Sequence, residues 1–222
     1  MSVTEVLPAV EKETGPAPQR AVIWLHGLGA DGHDFEPVVP ELGLRSAVRF
    51  IFPHAPMRPV TLNQGHRMRA WYDIQGLDRL AVQDEQGIRE SAAQVDALIA
   101  REGERGIAPG HIVLAGFSQG GAIALHAGIR REQPLAGIIA LSTYLPLHAR
   151  LAAERTQASA TVPVLMMHGT HDQVLTCQLG QHSRDLLAEL GHPVEWHEYP
   201  MAHQVCLEQL RVIGQWLDKV LA

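Results

Sequence analysis

The chain has 222 residues, 46% hydrophobic and 19% charged, with a formal net charge of -6, a size and composition that suit one α/β domain around a single large core. That acidic balance leaves no basic surface for nucleic acid, and no apolar run approaches the ~18 residues of a membrane span. Cys177 and Cys206 are too few for a disulfide framework and MSVTEVLPAVEKETGP lacks a secretory leader's basic-then-apolar pattern, so a cytoplasmic protein without stable membrane insertion is expected.

Val3–Leu7 reads as a weak edge strand, followed by the turn TGPAP. Arg20–His26 (RAVIWLH) is a buried strand running into a Gly-rich turn, Gly27 to Gly32. Asp34 is placed to cap a short helix through Leu42, and Val48–Phe52 is another short strand, closed by Pro53. From Pro53 to about Arg79 no period is clear. A loop this long in a compact domain is usually functional or disordered, and Trp71 and Tyr72 within it argue for an ordered cover over something rather than disorder.

From about Ala81 to Arg101, Ile88, Ala92, Val95, Leu98 and Ile99 recur at helical spacing and predict an amphipathic helix. Leu135–Ser142 and Val162–Met167 are strands, separated by one short helix within Pro146–Arg155. Gln173 to about Leu190 is helical and stops at Gly191. Val194–Tyr199 is a last strand, and the final helix runs from about His203 with Leu210, Ile213, Leu217 and Val220 on one face. Strands alternating with helices predict a mostly parallel sheet with helices on both faces. Neither a linker nor a repeat divides residues 1–222, so a single domain is expected.

The most informative stretch is His111–Gly128, HIVLAGFSQGGAIALHAG. An apolar run, Ile112 to Ala115, leads into Gly116-Phe117-Ser118-Gln119-Gly120, and a small-residue helix follows. This is the strand–turn–helix context that G-x-S-x-G requires as the nucleophile elbow of an α/β-hydrolase fold. Side chains two residues either side of Ser118 would collide, and Gly116 and Gly120 remove those collisions. The bland alternative is a Gly-rich turn carrying a harmless serine.

A serine hydroxyl needs a base within hydrogen-bond reach. In this fold an acid and then a histidine follow the serine, each on a loop after a strand. Asp172 follows the VPVLMM strand in HGTHD, and His203 follows the last strand in YPMAHQ. Among the competitors, His168 reads as a strand-end residue, His171 as a loop polar group and His197 as a solvent-facing strand position; Glu195 and Glu198 lie within the last strand. The tetrahedral oxyanion needs donors: the backbone N–H of Gln119 and an N–H of the His26–Ala30 loop, Leu28 foremost. No Walker lysine or complete G-x-G-x-x-G supports phosphate binding, and no H-E-x-x-H or paired-cysteine motif supports a metal, so no cofactor is expected.

HGLGADG, FPHAP, AWYD, GFSQGG, HGTHD and MAHQVC, in this order from Val22 to Trp216, together resemble the carboxylesterase/phospholipase family of small, cap-less α/β-hydrolases. That family includes bacterial carboxylesterases and acyl-protein thioesterases. The resemblance puts the triad on Ser118, Asp172 and His203 and the oxyanion donors on Leu28 and Gln119. It places Trp71 along the acyl groove and allows a homodimer. The acid loop departs from the family's usual pattern at His171 and Gln173.

The gap between Tyr144 and Thr161 is too short for a cap domain. An open groove is therefore expected beside the Pro53–Arg79 loop, with Met57, Trp71, Val174 and Met201 as candidate substrate-binding walls. An apolar groove without a charged clamp points to a serine carboxylesterase acting on small-molecule short-to-medium acyl esters. A lysophospholipase or acyl-protein thioesterase is the alternative. A metal-binding protein using His168-x-x-His171-Asp172, and a non-catalytic member of the fold, are the readings from other classes.

Overall fold

The middle strands are apolar on both faces, which forces them to the inside of the sheet. In the computed structural model, which describes residues 6–76 and 82–222, β1 (Ala9–Glu13), β2 (Ala21–Leu25) and β3 (Arg49–Pro53) precede a two-stranded hairpin, β4 (Met57–Pro59) and β5 (Arg67–Arg69). Then follow α1 (Glu85–Glu104), β6 (Ile112–Phe117), α2 (Gln119–Gly128), β7 (Gly137–Leu141) and α3 (His148–Glu154). The chain closes with β8 (Val164–Gly169), α4 (Cys177–Glu189), β9 (Val194–Tyr199) and α5 (Leu207–Val220). The seven-stranded sheet has the order β1-β3-β2-β6-β7-β8-β9. Only β1 is antiparallel to its neighbour.

Alternation along each strand sends side chains to two separate layers. Ile23, Ile51, Leu114, Ile138 and Val164 pack under α1 and α2, against Ile88, Val95, Leu98 and Ile123. Trp24, Phe50, Val113, Leu141 and Leu165 face the other way, against Leu210, Ile213, Trp216 and Leu217 of α5. Each such side chain contributes about 1.5–3 kcal/mol on burial. Because the strands run parallel, the loops after β2, β6, β8 and β9 all open at one edge of the sheet, where ligands of α/β folds bind.

Several boundaries differ from the sequence expectation, each for a local reason. Val3–Glu5 lie outside the described residues. The edge strand lies beyond Pro8, with Val10 opposite Phe52, because proline has no N–H to give to a ladder. Asp34 caps nothing: Glu36–Leu42 is a 3-10 helix entered from Phe35, with prolines at its start and at Pro40 that deny an α-helix its N–H donors. Much of the Pro53–Arg79 stretch is the β4–β5 hairpin (residues 77–79 are not described). Helix α1 begins at Glu85, where Asp84 accepts the Gly87 N–H at 2.9 Å, and Ala81 is not described. Helix α5 starts at Leu207, capped by Cys206 and Gln209, so His203 is in the loop before it. The segment between β7 and β8 holds only α3 and a 3-10 turn, Ala158–Thr161. Cys177 and Cys206 are free thiols. Among the described residues no helix is long and apolar enough to cross a membrane.

Candidate active site

Ser118 sits between β6 and α2 with φ 53 and ψ -120, a backbone conformation that costs a non-glycine residue on the order of 1–3 kcal/mol. The surroundings hold it there. Its N–H donates to the Leu141 carbonyl at 2.9 Å, and its own carbonyl accepts from the Thr143 hydroxyl at 2.6 Å. A Cβ on Gly116 would lie 2.4 Å from the Gly120 carbonyl, and one on Gly120 would lie 2.4 Å from the Leu25 oxygen. The elbow can pack against β2 only with glycine at both places.

His203 reaches the serine from the loop after β9. Its Nε2 is 2.9 Å from Ser118 Oγ and its Nδ1 is 2.6 Å from Asp172 Oδ2. Phe117 lies against the imidazole with ring centroids 4.7 Å apart. Asp172 is buried, and its other oxygen, Oδ1, accepts the N–H groups of Val174 and Leu175, both at 2.9 Å. Those two bonds explain why α4 begins at Cys177 and not at Gln173: the acid consumes the donors of the intervening turn. His171 and Gln173 are exposed, so the departure from the family pattern leaves the carboxylate's surroundings untouched. A serine, imidazole and carboxylate in this chain can ionise the hydroxyl at neutral pH and return the proton to a leaving group.

The loop after β2 closes the other side. Leu28 and Gln119 border the same cavity as Ser118 and His203. As the first residue of α2, Gln119 has an N–H without an i−4 partner in the helix. The loop is braced from behind by His26, whose Nδ1 donates to the Gly27 carbonyl at 2.7 Å and whose Nε2 accepts the Ala55 N–H at 3.1 Å. Burial lowers the His26 pKa to about 4, so the ring is neutral and keeps this donor–acceptor pattern.

A cavity of about 330 Å³ opens beside Ser118. Its walls are mostly apolar: Leu62 and Ile74 from the hairpin segment, Tyr144 after β7, Leu175 before α4, and Leu179 and Leu186 on α4. The Tyr72 and Tyr144 hydroxyls hydrogen-bond each other at 2.9 Å, and burial pushes both phenol pKa values up. Among the described residues no lysine or arginine lines it. Nor do any three His, Cys, Asp or Glu side chains among them form a group able to hold a metal ion.

The four expected wall residues fare differently. Val174 lines the cavity and is half exposed. Trp71 does not: it is wholly buried, its Nε1–H donating to the His26 carbonyl at 2.9 Å. That hydrogen bond satisfies the buried indole N–H and ties the side chain to the loop after β2. Met57 is half exposed on β4 and does not border the cavity. Met201 is buried, its carbonyl accepting the His171 N–H at 3.1 Å, and it joins the acid and histidine loops. Sequence reasoning missed Leu179 and Leu186, although their seven-residue spacing on one helix face was visible. It also missed Thr143 and the Gln119 side chain, for which no local signal exists.

The model of the phospholipase/carboxylesterase family matches residues 7–221. Acyl-protein thioesterase 1 of Mycosarcoma maydis is 41% identical over 239 residues, covering 100% of this chain and 99% of that protein. The protein of the same name from Neurospora crassa is 40% identical over 227 residues, covering 97% and 91%. Among solved structures, Arabidopsis thaliana SOBER1 superposes with a TM-score of 0.87 at 30% identity, covering 91% of this chain and 99% of that one.

Proposed function

Because the chain belongs to the phospholipase/carboxylesterase family, and is thus a hydrolase of ester or thioester bonds, we propose that it is a serine hydrolase of the acyl-protein thioesterase type. The observation that carries this reading is the hydrogen-bond chain Ser118–His203–Asp172 at the mouth of an apolar cavity. Ser118 Oγ attacks the acyl carbonyl while His203 Nε2 takes its proton. The N–H groups of Gln119 and Leu28 receive the oxyanion. His203 then protonates the departing thiolate or alkoxide, leaving the acyl group on Ser118. A water molecule, deprotonated by the same nitrogen, releases the acid and restores the serine. Asp172 holds the imidazole's tautomer and stabilises its charge.

Of the two substrate classes the sequence leaves open, the thioesterase reading is the better supported, since relatives about 40% identical over nearly the whole chain carry that name. The short-to-medium carboxylesterase reading therefore gives way to it. An acyl chain would lie along Ile74, Leu175, Leu179 and Leu186, with the leaving group toward solvent. Residues 1–222 would act as one catalytic domain, and the two free cysteines fit a reducing, cytoplasmic setting.

The test is a matched series of thioesters and oxygen esters from short to long acyl chains, with wild type and Ser118→Ala. Long-chain thioesters should give the highest kcat/KM, and the variant should lose nearly all turnover while staying folded. A maximum at short oxygen esters would return the substrate to the carboxylesterase class. Wild-type rates in Ser118→Ala would remove the mechanism altogether.

A further inference from the structure

His168 is a wholly buried imidazole next to the triad that the mechanism above does not use. It is the penultimate residue of β8, and its Nε2 lies 2.7 Å from the Leu175 carbonyl. A carbonyl only accepts, so this nitrogen carries the proton. The same N–H edge is 3.4 Å from Asp172 Oδ2, the oxygen that also accepts from His203. The ring is seated in a built slot. Trp196 of β9 stacks on it with centroids 6.2 Å apart, and a Cβ on Gly180 would fall 2.4 Å from its Nδ1. Burial, its largest influence, lowers the His168 pKa; the hydrogen bond to the Leu175 carbonyl, Asp172 and Glu198 oppose it, and His203 adds to it. The ring is thus a neutral donor.

A leucine would fill this interior position without the cost of a desolvated polar group. What the imidazole supplies is a fixed point for the acid loop. Asp172 Oδ1 is held by the N–H groups of Val174 and Leu175, and the Leu175 carbonyl is held in turn by His168. Val174 and Leu175 also line the cavity, so one ring anchors both the carboxylate's orientation and part of the substrate wall.

We propose that His168 is a positioning residue: its Nε2–H clamps the Asp172–Leu175 loop so that Asp172 Oδ2 faces His203. The proposal rests on the triad reading of Ser118, His203 and Asp172.

His168→Gln, His168→Asn and His168→Leu test it. The glutamine amide nitrogen reaches the place of Nε2, whereas that of asparagine stops near Nδ1. The readouts are kcat and KM on a short-chain ester and the low-field proton resonance of the His203–Asp172 hydrogen bond. His168→Leu should lower kcat on the order of 10- to 100-fold, as a loosened orienter does, with KM within about 2-fold and the low-field resonance lost. His168→Gln should regain most of both. Wild-type kcat in folded His168→Leu would overturn the proposal, and so would a loss that His168→Gln fails to recover. If His168→Leu does not fold, the Gln and Asn variants decide: a clear advantage for Gln supports the clamp, and equal kcat overturns it. Ser118→Ala serves as the control, because activity surviving there removes the triad reading itself, while a dead control with unaffected His168 variants removes only the role of His168.

Discussion

The Gln119 side chain ties the nucleophile elbow to Trp71: its Oε1 accepts the Trp71 N–H at 2.8 Å, and its Nε2 donates to the Tyr72 carbonyl at 2.7 Å. One buried amide thus fastens the end of the hairpin segment to the residue after Ser118, whose own N–H is the proposed oxyanion donor. Backbone and side chain of Gln119 have separate tasks, and a mutation can divide them.

Gln119→Ala keeps the backbone donor but leaves the Trp71 N–H and the Tyr72 carbonyl without their partner. An unpaired buried group costs about 1–3 kcal/mol. With two groups left unpaired, the variant should lose at least that amount of stability in thermal or urea denaturation. Its kcat should fall roughly 10-fold as the cavity wall loosens, and an unchanged kcat would show that the clamp has no catalytic role.

Thr143→Val removes the hydroxyl that donates to the Ser118 carbonyl and keeps the shape. Because Ser118 is held at positive φ by this bond and by the Leu141 carbonyl, the elbow should relax. The expected result is a kcat loss of about 10-fold with a stability change near 1 kcal/mol. Phosphonate labelling of Ser118 should slow in parallel.

Acid should weaken the fold through His26. Burial depresses its folded pKa to about 4, against ~6.5 when unfolded. Between those values the unfolded chain binds a proton that the folded one does not, so stability is complete above about 6.5 and falls as pH drops toward 4. The full effect is roughly 3 kcal/mol. His126, lowered by burial to about 3, acts in the same direction. In His26→Gln the stability–pH slope over this window should shrink without vanishing, and a slope identical to wild type would rule His26 out as a source.

Leu179→Phe should narrow the cavity. Turnover of long acyl chains should drop on the order of 10-fold, while short acyl substrates stay within about 2-fold of wild type. A uniform loss across the series would mean that Leu179 does not border the acyl path.

Glu102 is fully buried among Arg49, Arg101 and Arg105, where it joins β3 to α1. In Glu102→Gln each guanidinium keeps a second carboxylate, Glu13 for Arg49 and Glu11 for Arg101 and Arg105, so the loss should be about 1–3 kcal/mol in denaturation experiments. Kinetics at low temperature should be unaffected, since the cluster does not touch the cavity.

The amino-acid sequence by itself determined the alternation of strands and helices, the two-sided core and the order of the three chemical groups. These are written locally. Apolar runs such as Ile112–Ala115 can only be inside, Gly116 and Gly120 announce a close approach on either side of Ser118, and Asp172 and His203 each follow a strand. Tertiary structure alone decided what surrounds them. Trp71 looked like a wall of the groove because it is large and lies in a long loop, yet its indole is turned inward to the His26 carbonyl. Met201 is taken up in joining two loops, whereas Leu179 and Leu186 face the cavity from α4. Which side of a residue meets the substrate depends on segments distant in sequence packing against it, and local pattern carries no record of them. His168 belongs to the same class: its partners, Trp196, Gly180 and Leu175, meet only when β8, α4 and β9 are in place.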